Sequence, residues 1–243
     1  MPTFTFFNDR LPDPTFTVND AGAVEANSKK GPGFASVRVA SNRPVQVSRT
    51  MSGRGIHRES GAHHWEISIT YNPMTREDFD TVSSFLDARN GRMNPFYVVL
   101  PQYSRPKDVA FHSFVLSNAI RVFGAHTAGR SSINMYAASN IAGTPRPGDY
   151  FTIADGADIN HRKAYKVTRV ETNTTYQVGS TRPTTTQVRV HIMPPLVRNV
   201  SNNATITWID PLFRVIQKEE VTEHELNNDN LYQFQLALEE ILA

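Results

Sequence analysis

Apolar and polar residues alternate along most of this chain, and a side-chain period of two leaves little room for anything but β-structure. Val37, Val39, Val45 and Val47 are spaced by Arg38, Gln46 and Ser48, with a break at Asn42-Arg43-Pro44. After the glycine-rich, charged stretch 52–62, the alternation resumes at Trp65, Ile67, Ile69 and Tyr71. These segments predict a long hairpin over 37–71, with a tip that is mobile or ordered by a partner. Further strand-like stretches fall at 114–123, 133–137, 150–153, 164–170, 187–193 and 204–208. Turn clusters such as Pro145-Arg146-Pro147-Gly148, Asp155-Gly156 and Asn202-Asn203 part them. Short strands at this spacing predict a sandwich or barrel. The Thr-rich span 172–186 predicts a surface loop. Two last strands, 212–216 and 231–238, flank an acidic connection. Tyr232, Phe234, Leu236 and Leu238 share parity and point to a core. Residues 236–242 also fit a short helix; strand is the preferred reading for 231–238.

One segment breaks the period of two. Phe79, Val82, Phe85 and Leu86 recur at helical spacing. Thr75 to Asp78 reads as a capping box with Asp in place of the usual Glu or Gln, the Thr75 hydroxyl accepting from the Asp78 amide. Glu77 and Asp78 suit the positive end of the helix. Met74 and Phe79 fit a hydrophobic staple, and Asn90-Gly91 is a stop signal. Residues 96–100, between Pro95 and Pro101, then read as a buried strand.

The chain has 243 residues, 39% of them hydrophobic, enough for one large β domain or two smaller ones. Two are expected. Residues 1–104 with 211–243 form a β domain with one flanking helix, and 105–210 form an inserted β domain. A terminal hairpin cannot stand alone and must return to an existing sheet. Residues 1–34 read as an extended arm with a short strand near 4–7. No stretch approaches the roughly 18 apolar residues of a membrane span, and the first residues do not read as a signal peptide. Cysteine is absent, which removes disulfides, thiolate catalysis and cysteine zinc sites and fits folding in a cytoplasm.

The net charge is only +2, which argues against a dedicated nucleic-acid binder. Its distribution is uneven. Lys29, Lys30, Arg38, Arg43, Arg49, Arg54 and Arg58 follow one another with no acid between them. Glu219, Glu220, Glu223, Glu225, Asp229, Glu239 and Glu240 make the other end acidic. These are either two solvated faces of one fold or complementary surfaces on neighbouring subunits. On the second reading the subunit-interface candidates are Arg49, Arg54, His57 and Arg58 against Glu219, Glu220, Glu223 and Glu225.

Signals for catalysis are weak. His57, His63 and His64 lie near Glu59 and Glu66, but the spacing matches no zinc pattern, and adjacent strand residues point to opposite faces. Gly53-Arg54-Gly55 lacks the strand-then-helix setting of a phosphate loop. The carboxylates at 219–225 form a charge run without apolar neighbours to raise a pKa, so they read as a solvated face. No catalytic residue, metal or cofactor is expected. Trp65, Trp208 and the tyrosines read as core before carbohydrate platforms.

Three phrases carry a resemblance. Tyr71-Asn72-Pro73-Met74-Thr75-Arg76-Glu77-Asp78-Phe79, then 85–92, then Pro95-Phe96-Tyr97-Val98-Val99-Leu100-Pro101, resemble the minor tail and tail-tip proteins of long-tailed bacteriophages. The runs 146–149, 163–167 and 193–196 are similar to the accessory β domain of such proteins. The resemblance implies a mainly β fold: a tail-tube-like β-sandwich with one flanking α-helix, plus an inserted small β-barrel or sandwich. It implies a structural protein of the virion tail, of distal tail or tube-initiator type, assembled in the host cytoplasm. Its partners would be itself, as a hexameric or trimeric ring, and neighbouring tube, hub or baseplate proteins. DNA would meet it only in passage through the channel, with no membrane insertion. The alternatives are a carbohydrate- or receptor-binding tail module presenting Trp208 or Tyr165, and a cell-wall glycan hydrolase using Glu59 and Glu66.

Overall fold

The computed structural model describes residues 9–15, 17–18, 29–59, 62–159, 161–219, 224–226 and 230–242. Its first half runs β1 (Thr17–Val18), β2 (Lys29–Lys30), β3 (Phe34–Asn42), β4 (Val45–Arg49), β5 (Gly55–Glu59), β6 (His64–Tyr71), α1 (Arg76–Ala88) and β7 (Phe96–Val99). Next come α2 (Val109–Ser117), β8 (Ile120–Val122), β9 (Ser132–Tyr136), β10 (Tyr150–Ala154), β11 (Ala164–Glu171), β12 (Gln187–Met193) and β13 (Thr205–Thr207). The chain ends with β14 (Leu212–Gln217), β15 (His224–Leu226) and β16 (Tyr232–Glu240). It divides into two compact units, 1–98 with 215–241, and 99–214 with 242–243. No helix among the described residues is long and apolar enough to cross a membrane.

The first unit is built on one sheet, ordered β3-β6-β16-β14-β7, with β15 also paired to β16. The parity expected for the last strand holds: Phe234, Leu236 and Leu238 are buried, while Gln233 and Gln235 are exposed. Helix α1 covers this inner face with Phe79, Val82, Phe85 and Leu86. Phe79 stacks on Tyr232 at 4.5 Å between centroids, and Phe85 meets Phe96 edge-on at 5.3 Å. Such ring pairs add about 1 kcal/mol each to the area they bury. The helix starts and stops where expected, Asn90 and Gly91 both taking positive φ. Its cap differs from the capping box. Thr75 makes no side-chain bond to the helix backbone; its hydroxyl donates to the Asp78 carboxylate at 3.1 Å. Asp is one methylene shorter than Glu and cannot reach back to the cap amide, so the side chains satisfy each other instead.

The outer edge of β7 is covered by the chain's own residues. Arg10 bridges Tyr97 in parallel, and the Leu11 amide donates to the Tyr97 carbonyl at 2.8 Å. Leu11 is fully buried. Asp13 holds this stretch in shape: it pairs with Arg10 at 2.8 Å and accepts from the Thr15 amide at 2.7 Å. Gly31 packs so close that a Cβ there would sit 2.4 Å from the Pro12 carbonyl carbon. Residues 9–15 of the expected arm are thus fastened to the sheet; the strand expected near 4–7 lies outside the described residues.

The second unit is a closed barrel in the order β10-β11-β12-β9-β8-β13, closing back on β10. Phe111, Phe151, Tyr165 and Trp208 lie at its core, with Phe111 edge-on to Trp208 at 5.2 Å. The strand expected over 114–123 is corrected here: helix α2 occupies its first part and only β8 is strand. The run 109–116 is apolar almost throughout, so its period is ambiguous, and the local cap decides. Asp108 accepts from the Phe111 amide at 2.9 Å, starting a helix that turns Phe111 and Phe114 inward. The span 172–186 carries no helix or strand, as expected.

A charge cluster sits on the face of β11 and β12. Register places Arg169 opposite His191 and Glu171 opposite Arg189. The Glu171 carboxylate is nearly buried and takes Arg169 at 2.5 Å, Arg189 at 2.9 Å and His191 at 2.9 Å. Burial pushes its pKa up, but the hydrogen bonds from His191 and Arg189 and the nearby positive charges outweigh that, leaving it below the usual value. A depressed folded pKa gives stability that is present above the unfolded pKa and lost as pH falls through the folded one.

Two outcomes follow from these contacts. Phe85→Ala, which empties a fully buried ring site, should cost about 3–5 kcal/mol in urea unfolding. Glu171→Gln should lose about 3 kcal/mol at neutral pH by removing the buried charge that Arg169 and Arg189 pair with. Its deficit against the unmodified chain should shrink in acid; urea melts at the two pH values measure this.

Candidate assembly surface

The predicted hairpin is one long ribbon in two parts. The proximal part, β3 with β6, belongs to the sheet, from Phe34 opposite Tyr71 to Asn42 opposite His64. Beyond Arg43 and Pro44, β4 pairs only with β5, as a two-stranded sheet of its own. The glycine-rich stretch 52–62 was expected as a loop throughout; its middle is strand β5. The tip is instead a short turn, where Gly53 adopts φ +80° and the Gly53 amide donates to the Thr50 carbonyl at 2.9 Å. A compact turn lets pairing continue to Arg49 and Gly55.

This distal ribbon is exposed on both faces. All five residues of β4 are exposed, Val47 at 59%, and Ile56 in β5 at 52%. Pairing register puts Val45, Val47, Arg49 and His57 on one face and Gln46, Ser48, Ile56 and Arg58 on the other. An isolated two-stranded ribbon is marginal in water, and exposed valine and isoleucine on both faces are a surface that gains by being covered.

The interface candidates divide into two groups. Arg49, His57 and Arg58 lie on the ribbon and Arg54 on its turn, all exposed. Glu219 follows β14 and Glu225 lies in β15, both exposed; Glu220 and Glu223 fall outside the described residues. Among the described residues no ion pair involves Arg49, Arg54, Arg58, Glu219 or Glu225. Among the described residues, the two groups are not brought together within the chain.

The other candidates resolve as structural groups. His63 is buried edge-on to Trp65 at 4.6 Å, and its Nε2 lies 2.9 Å from the Ser41 hydroxyl. His64 lies 3.6 Å from both Glu66 and Glu239, while His57 is out on the ribbon. The described residues contain no group of three metal-binding side chains. Glu66 is held below its usual pKa by hydrogen bonds from Asn42 and Lys218, so it stays a carboxylate rather than a proton donor. The core reading of Trp208 and Tyr165 holds and the platform alternative loses its support: both are buried in the barrel, and the Tyr165 hydroxyl is bonded to His161 and the Val197 amide. Two clusters escaped sequence reasoning: the Arg10–Asp13–Thr15 clamp and the Glu171 group. Cross-strand register assembles the second, and no local spacing signals it.

Residues 11–103, which hold the ribbon, helix α1 and strand β7, match a family described as distal tail protein pb9, A domain, N-terminal. A search of curated proteins gives no match. Over residues 11–103 the chain is similar to a bacteriophage distal tail protein domain, which supports a distal tail, or tail-tip, protein.

Proposed function

We propose that the chain is a structural subunit of a ring at the tail tip or baseplate hub, joining the tail tube to the components beyond it. Its partners are further copies of itself, as a hexamer or trimer, and the adjoining tube, hub or baseplate proteins. It assembles in the host cytoplasm, and DNA meets it only in passage.

The observation that carries this reading is the uneven finish of the sheet. The β7 edge is covered by residues 9–11 of the same chain. The β3 edge, nine residues long, has no second strand partner among the described residues. Natural proteins seldom leave so long an edge unprotected. Contacts repeated head to tail around an axis cover one such edge per subunit and close into a ring. The distal tail match over the same unit supports the same conclusion. A catalytic role has less support: Glu66 is tied to Asn42 and Lys218, and no aromatic platform remains at Trp208 or Tyr165.

Full-length protein should form annular particles in negative-stain electron microscopy, and antibody should label the tail end of virions. Replacing 45–59 with a short glycine-serine link should abolish the rings and leave the thermal unfolding of the remainder near that of the parent. A chain that stays monomeric at every concentration, and is absent from tails, defeats the reading.

A further inference from the structure

Among the described residues, no contact joins the ribbon's arginines to Glu219 or Glu225 inside one copy, and the strand register places them at different ends of the sheet. Arg58 is opposite Gln46, and Ile69 is opposite Val37. Ile69 also pairs with Leu236, beside which Glu219 falls, since the Lys218 amide donates to the Ala237 carbonyl. Gln46 lies nine positions beyond Val37 along the ribbon, a contour of roughly 30 Å at strand spacing. Glu225 is farther still, because β15 pairs with the opposite end of β16, at Tyr232 to Phe234. The sheet order adds a lateral offset: β3 lies on one side of the β6–β16 pair and β15 on the other. An arginine side chain spans only a fraction of that distance. Among the described residues, one copy therefore shows basic groups without an ion-pair partner on the ribbon at one corner of its sheet, and Glu219 and Glu225 without one at the opposite corner.

Both surfaces also carry uncovered apolar groups: Val45, Val47 and Ile56 on the ribbon, and Leu226, 52% exposed, beside Glu225. Two complementary patches at opposite corners are what a heterologous, ring-closing contact requires. We infer that the ribbon 45–59 of one copy docks on the acidic edge of the next, with Arg49, Arg54 and Arg58 facing Glu219 and Glu225 and the ribbon's apolar side chains covering Leu226. This rests on the ring reading above and adds the partner surface and direction of the contact. The apolar contact holds the ribbon, while the charges set which edge it finds and in which register.

Charge reversal on the full-length chain tests it, with oligomer mass followed by mass photometry and folding checked by thermal melts. R49E/R54E/R58E and E219K/E225K should each raise the concentration for half-assembly by about tenfold or more, and added salt should weaken the parent ring. A chain carrying all five reversals restores opposite charge across the contact and should recover rings. Rings that persist in the hairpin-reversed variant, or that fail to return in the five-fold variant, overturn the ribbon contact and leave the ring reading standing. A parent chain that forms no ring overturns both.

Discussion

The first unit depends on where its last strand goes. Strand β16 inserts between β6 on one side and β14 and β15 on the other, so residues near 235 hold residues near 70 in register. Its inward side chains are the floor on which α1 rests: Tyr232 and Phe234 receive Phe79, and Phe234 stacks on Tyr71 at 5.6 Å. Without β16 the hairpin from β3 to β6 would be a two-stranded ribbon along its whole length, and the apolar stripe of α1 would face water. The unit is therefore closed by pairings distant in sequence, and its stability cannot be assigned to local propensity.

That closure creates the asymmetry on which assembly turns. On one side the chain finishes its own sheet, laying Asp9 to Leu11 against β7 and locking the turn through Asp13. On the other side, among the described residues, β3 pairs with β6 alone, and its ribbon runs on past the sheet. Polar residues cover the outward faces of β6 and β16, where Glu66 is engaged by Asn42 and Lys218. The distal ribbon has no such satisfaction: among the described residues Arg49, Arg54 and Arg58 have no ion-pair partner, and its valines are exposed. Satisfied charge on the body and unsatisfied charge on the ribbon separate what maintains the fold from what is available to a partner.

The barrel unit shows a different economy of charge. One of its buried carboxylates, Glu171, is met by Arg169, Arg189 and His191, which the strand register delivers. Grouping makes burial of the carboxylate tolerable, and losing its cationic partners would leave it desolvated without compensation. The group ties the start of the long loop 172–186 to the strand face, since Arg189 also donates to the Thr181 carbonyl and Arg169 to Gln177.

Much of this protein was legible in its sequence because the deciding physics is local. Alternation with period two marked the ribbon and β16, since a sheet has two faces and only one is dry. Helical spacing from Phe79 to Leu86 and the Asn90-Gly91 stop marked α1 for the same reason. The aromatic likeness of 71–101 to tail-tip proteins lay in that contiguous phrase as well. Where local signals tied, they misled: the continuous apolar run of α2 has no period, and the Asp108 cap decided it. The strand within 52–62 was hidden by its glycines until β4 supplied a partner. Only the tertiary structure decided, among the described residues, which sheet edge lacks a second strand, which charges lack a partner, and that the register sets the basic ribbon and Glu219 and Glu225 at different ends of the sheet. Those are properties of register across strands far apart in the chain, and residue order alone does not set the distance between them.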